Sequence, residues 1–145
     1  MKKYLLGLLC PLCLNAQSKT TQKPNVIIIV ADDLGYGDLS CYGEKTIHTP
    51  QVASLAKQGM VFTNVHSTAA TCTPSRYSLF TGLYNWRRND TGIAPGDAAM
   101  VIRPEQITIA DVFKAAGYTT GAIGKWHLGL GGERGKQDWN GFITP

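Results

Sequence analysis

Pro24-Asn25-Val26-Ile27-Ile28-Ile29-Val30-Ala31 runs straight into Asp32-Asp33. The run is apolar throughout and β-branched from Val26 to Val30, so it predicts a strand covered on both faces. Strands of that kind belong to parallel sheets, whose crossovers are helices, and the fold class that follows is α/β. Asp32 and Asp33 then stand at the carboxyl end of the strand, where open α/β sheets place their ligands. Adjacent carboxylates repel unless a cation relieves them, and hard oxygen donors favour calcium or magnesium over zinc. A solvated turn uses the same dipeptide, so the pair alone leaves both readings standing.

Moving outward, Leu34 to His48 is glycine-rich and irregular, with Asp38 read as a turn residue and His48 as a loop residue. Thr49-Pro50 opens a helix with Val52, Leu55 and Ala56 on one face, and Gly59 ends it. Met60 to His66 predicts a second strand, with His66 a hydrogen-bonded residue at its end. Leu83 to Glu105 is long for a loop, which marks either a function or an element without a readable period. Within it Arg87 and Arg88 are a solvated pair or a contact for an anionic substrate. Thr108 and Asp111 form a capping box for a helix to about Ala116 that buries Ile109, Val112 and Phe113, and Gly117 stops it. Tyr118 to Gly124 predicts a third strand. If the chain stays extended, Lys125 and His127 share one side and Trp126 takes the other. A cation and an imidazole so placed suit an oxyanion such as sulfate, the Lys neutralising an oxygen and the His moving a proton.

The most chemically dense stretch is Thr71-Cys72-Thr73-Pro74-Ser75-Arg76, continuing through Tyr77 to Gly82. Thr73 reads as an N-cap, Pro74 as the first helical residue, Ser75 to Thr81 as about two turns, and Gly82 as the stop. Cys72 then lies just before a helix N-terminus, and Arg76 can fold back toward it. These features describe an anion site with a reactive group at its centre. A small buried Cys before a common helix opening fits them too.

Cys72-Thr73-Pro74-Ser75-Arg76, with Leu79 and Thr81-Gly82, resembles the Cys-x-Pro-Ser-Arg signature of type I sulfatases. Gly117-Tyr118-Thr119-Thr120-Gly121-Ala122-Ile123-Gly124-Lys125-Trp126-His127-Leu128-Gly129 resembles a second signature, and Pro24 to Asp38 a third, all in family order. The resemblance implies the amino-terminal part of an alkaline-phosphatase-like, doubly wound, mostly parallel sheet. It implies a sulfuric ester hydrolase acting on an aryl or carbohydrate sulfate. Cys72 would be converted to formylglycine by a formylglycine-generating or sulfatase-maturating enzyme, and its hydrate would attack sulfur. Asp32, Asp33 and the Cys72-derived oxygen would hold calcium, and Arg76, Lys125 and His127 would contact the sulfate. Related phosphodiester and phosphonate ester hydrolases share the Cys motif, and paired sulfate and phosphate esters separate the two. A non-catalytic product or a sulfated-glycan binder is the reading from another class.

Residues 1–16 read as a secretory signal: Lys2-Lys3, an apolar run from Tyr4 to Leu14, then Asn15-Ala16. That run is too short to span a bilayer, so export to the periplasm or medium is expected. Cys10 and Cys13 each follow Leu, which argues against a lipoprotein. Residues 17–23 read as a polar linker and 24–145 as the opening portion of a sulfatase catalytic domain. The second Asp-Asn pair and further Lys and His contacts of such a domain have no match here, and calcium takes six to eight oxygens. The expectation is a chain that is inactive and poorly stable by itself. The formal charge of +4 includes Lys2 and Lys3 of the leader, and the rest is too scattered for a nucleic-acid partner. Outside the leader only Cys41 and Cys72 remain, and a disulfide between them is the rival to the formylglycine reading.

Overall fold

The computed structural model describes residues 22–136. The predicted leader and most of the linker lie outside them. The chain divides into two units, one ending at Ala31 and the other beginning at Asp32.

In the first unit the apolar run alternates in exposure: Val26 49%, Ile27 83%, Ile28 52%, Ile29 82% and Val30 52%. A period of two is the mark of an extended backbone. Neither this run nor the segments 60–66 and 118–124 forms a strand ladder among the described residues. Parallel pairing joins segments far apart in sequence, so an extended run becomes a strand only where a neighbour lies alongside.

Among its described residues the second unit holds three helices: α1 (Pro50–Gln58), α2 (Cys72–Thr81) and α3 (Ile109–Ala115), with short 3-10 turns at Tyr36–Asp38, Ser40–Tyr42 and Asn85–Arg87. Local signals set their ends. Pro50 opens α1, and the Gly59 N–H closes it on Leu55. The α3 capping box forms as predicted, with Asp111 N–H donating to the Thr108 hydroxyl and Thr108 N–H to the Asp111 carboxylate. Gly82 takes the left-handed conformation (φ 68°) after α2, its N–H on Ser78 O.

The start of α2 differs from expectation. Thr71 is the N-cap, with extended backbone, and the helix begins at Cys72. Thr73 does not cap it, because its hydroxyl is taken by tertiary partners, His127 O at 2.8 Å and Ala94 N at 3.1 Å. The apolar faces of α1 and α3 stay largely uncovered by the described residues, with Leu55 and Val112 exposed.

Burial concentrates elsewhere. Tyr77 of α2 packs in a cluster with Ala94, Ala98, Val101, Ile102 and Leu128, flanked by Phe80 and Trp126. Four of these come from the long stretch without a readable period. Backbone bonds fasten that stretch to the 128–135 segment: Val101 N to Leu128 O, Leu130 N to Ala98 O, Met100 N to Gly131 O and Gly135 N to Asp97 O. Arg88 ties it to α2 as well. Its guanidinium pairs with Asp90, donates to Val101 O and Gln106 Oε1, and lies over the Tyr77 ring. Asp90 holds the Arg88 pKa above its ordinary value, so Arg88 is committed internally.

At Gly129 the backbone of the 128–135 segment lies directly against that of Ala98 and Ala99. Gly129 has φ +70°, and a Cβ there would sit 1.9 Å from Ala99 O. Gly129→Ala is expected to destabilise by about 1–2 kcal/mol through the left-handed backbone alone, with the overlap added. Chemical denaturation of the host-made protein checks this, and an unfolding midpoint equal to wild type would refute the packing described.

Candidate functional site

Four side chains meet at the start of α2. Asp32 accepts from Lys125 Nζ (2.7 Å) through one carboxylate oxygen and from Arg76 Nη2 (3.0 Å) through the other. Lys125 Nζ also reaches Cys72 Sγ at 3.3 Å, and the thiol lies 3.9 Å from Asp32 Oδ1. Arg76, one turn along the helix from Cys72, donates its second terminal nitrogen to Lys125 O. That bond fixes the Lys125 backbone to α2, so helix and loop share one geometry.

The electrostatics follow from the pairing. Hydrogen bonds from Lys125 and then Arg76 hold the Asp32 carboxyl below its ordinary value, and Asp32 followed by Cys72 holds the Lys125 ammonium above its own. At neutral pH the cluster carries one carboxylate between two cations beside a half-buried thiol. With Asp32 balancing one of the two cations, the group keeps one net positive charge and several N–H donors around one small volume, which suits the oxygens of a singly charged oxyanion.

Asp33 stands beside this group. One potential ligand atom each from Asp32, Asp33 and Cys72 lies within 4.8 Å of the others. The donor chemistry suits a hard cation in part: two carboxylates are calcium ligands, and a carboxylate oxygen holding one hydrogen bond keeps a lone pair to give. The sulfur of Cys72 is a soft donor and suits calcium poorly. An oxygen at that position makes the set uniformly hard, so these residues fit calcium once the sulfur is replaced.

His127 is placed differently from the expectation. The period-two argument put it beside Lys125, but its backbone is left-handed (φ 54°), and the chain leaves the extended path there. Its ring Nε2 bonds Ala94 O at 2.9 Å, while Nδ1 is buried without a hydrogen-bond partner. Its carbonyl accepts from Thr73, the residue after Cys72. Trp126 turns to the core, as the alternation predicts, against Phe80 at 5.3 Å. Among the described non-glycine residues only Asp33 and His127 have positive φ, and strain of that sort gathers at working sites.

The remaining candidates fall outside the cluster. His66 bonds Asn64 Oδ1, His48 is exposed, and Asp38 accepts from Gly35 N–H in a turn. Cys41 and Cys72 are both free, so the rival disulfide is not formed. Two open cavities of about 350 Å³ flank Arg88 and Asp90, and none of their lining residues belongs to the Cys72 cluster. Ala94 acts only through its backbone and so leaves no side-chain signal in the sequence. The local pattern also mistakes Thr73 for a cap.

Residues 24–144 match the family profile described as Sulfatase. Over 127 residues the chain is 56% identical to an N-acetylgalactosamine-6-O-sulfatase of Bacteroides thetaiotaomicron, covering 88% of this chain and 25% of that protein. Human arylsulfatase A is 44% identical over 126 residues, covering 84% and 24%. A solved structure from work on glycosaminoglycan metabolism by Bacteroides thetaiotaomicron superposes with a TM-score of 0.79 at 57% identity, covering 86% of this chain and 26% of that one. The chain thus spans about a quarter of the length of the curated relatives it matches. Its fold is the α/β, alkaline-phosphatase-like arrangement expected from the sequence. The chain belongs to the sulfatase family.

Proposed function

We propose that the protein to which this chain belongs hydrolyses sulfate esters, with Cys72 at the reacting position. The observation that carries the reading is the convergence of Lys125 and Arg76 on Asp32 beside the Cys72 thiol. A sulfate monoester brings negative charge to that point, and preorganised cations cost nothing to reorient as charge grows. A relative named for N-acetylgalactosamine 6-O-sulfate supports a carbohydrate sulfate as the substrate. Export, guided by residues 1–16, would put the chain where such polymers are met.

Arg76 and Lys125 bind and orient the sulfate oxygens. Lys125 is the more exposed of the two, while Arg76 is held by Lys125 O and sets the direction of approach. His127 holds or moves a proton at Nδ1. Formylglycine derived from Cys72 would supply the nucleophilic oxygen once a maturating enzyme has acted, and among the described residues Cys72 is a free thiol. Calcium held by Asp32, Asp33 and the Cys72-derived oxygen supplies Lewis-acid polarisation.

Mass spectrometry of the host-made protein tests the reading at its root. The peptide spanning Thr71 to Arg76 is expected to lack the Cys72 sulfur and to react with carbonyl reagents. A peptide that retains an intact thiol throughout an active preparation would overturn the nucleophile assignment.

A further inference from the structure

We propose that Thr73 is a positioning residue that fixes the tautomer and placement of the His127 ring. The inference rests on the reading of His127 as the proton-handling group. Thr73 is fully buried. Its hydroxyl donates to His127 O at 2.8 Å and accepts from Ala94 N–H at 3.1 Å, and the His127 ring closes the circuit through Nε2 on Ala94 O at 2.9 Å. Three residues from α2, the long irregular stretch and the Lys125 loop are thereby locked by three hydrogen bonds.

The chemistry of the circuit is directional. A carbonyl oxygen only accepts, so the bond to Ala94 O requires the proton on Nε2. In the neutral ring Nδ1 is then a lone pair, and Nδ1 is the buried atom without a partner. The Thr73 hydroxyl, having given its proton to His127 O, receives Ala94 N–H on its own oxygen and so places Ala94 to hold the ring. The same bond restrains the left-handed His127 backbone (φ 54°), a conformation that is strained in a non-glycine residue. Because Thr73 directly follows Cys72, one turn of α2 carries both the reacting position and the clamp on the ring. A serine retains this function, whereas valine fills the same volume without it.

The test uses the host-made protein labelled with ¹⁵N-histidine. At alkaline pH, where an imidazole is neutral, the His127 ring is expected as a single Nε2–H tautomer. Observation of the Nδ1–H form in the unaltered protein overturns the proposal without recourse to any variant. Thr73→Val is expected to lose the single tautomer and to lower kcat about 10–100-fold on a small aryl sulfate with KM nearly unchanged. Thr73→Ser is expected to restore both. Formylglycine content at position 72, read by mass spectrometry, is expected to match in all three proteins, so lost maturation is distinguished from a displaced ring. An unchanged tautomer in Thr73→Val, or a Thr73→Ser protein as impaired as Thr73→Val, overturns the proposal. Absence of sulfatase activity in the unaltered protein sinks the functional reading while the tautomer measurement still decides this one.

Discussion

In the whole protein to which this chain belongs, Cys72→Ala is expected to abolish the proposed sulfate-ester turnover, with kcat falling on the order of 10⁴–10⁶-fold, the scale seen when a covalent nucleophile is removed. The side chain is half-buried at the first residue of α2, and its sulfur makes weak contacts with Lys125 and Asp32. Alanine is a good helix former and leaves Arg76–Asp32 and Lys125–Asp32 in place. The unfolding free energy should therefore stay within about 1 kcal/mol of wild type. The two readouts separate a chemical role from a structural one. A binder of sulfated glycans without turnover would keep its affinity in this variant and show no rate to lose. Retention of more than about a tenth of the wild-type kcat would remove Cys72 from the centre of the chemistry.

How far the sequence could be read depends on the range of the interaction concerned. The starts of α1 and α3 and the stops of α1 and α2 are written locally in Pro50, Thr108 with Asp111, Gly59 and Gly82, because capping is decided within a few residues. The run from Val26 to Val30 declares an extended backbone, but a ladder needs a neighbour that no local pattern names. The chain spans about a quarter of its relatives' length, and Ile27, Ile29, Leu55 and Val112 present faces that no described residue covers. The core around Ile102 and Leu128 was illegible for another reason. Its segments are irregular, so burial follows backbone bonds such as Val101 N to Leu128 O rather than any period. Cys72, Arg76, Lys125 and Asp32 were legible as a group through motif resemblance, and their geometry is a separate observation. His127 was misplaced because the period-two rule assumes an extended chain, and one left-handed residue breaks it.

Asp32→Asn should leave the fold standing and remove most of the function. The amide has the shape of the carboxylate but no charge, so Lys125 and Arg76 lose the anion that both contact. The Lys125 pair is open to solvent, with Asp32 39% and Lys125 42% exposed at the side chain, and adds little to stability. The Arg76 side chain is only 12% exposed but keeps its hydrogen bond to the amide oxygen of the variant. The sign of the pH dependence agrees. Asp32 is held below the ordinary 3.8, so its contribution is complete above that value and lost only as pH falls through the depressed one. Lys125 is held above the ordinary 10.5, so its contribution is complete below that value and lost only as pH rises through the raised one. Across the neutral range neither group changes charge. The variant should therefore have a flat difference in stability from wild type between about pH 5 and 9. Turnover is another matter, because an unbalanced pair of cations no longer holds its geometry and the hard donor set loses a charge. A fall in kcat/KM on the order of 10²–10³-fold is expected, together with weaker calcium binding by calorimetry. If activity and thermal midpoint fell in proportion, Asp32 would be a structural ion-pair partner and no part of the reacting site.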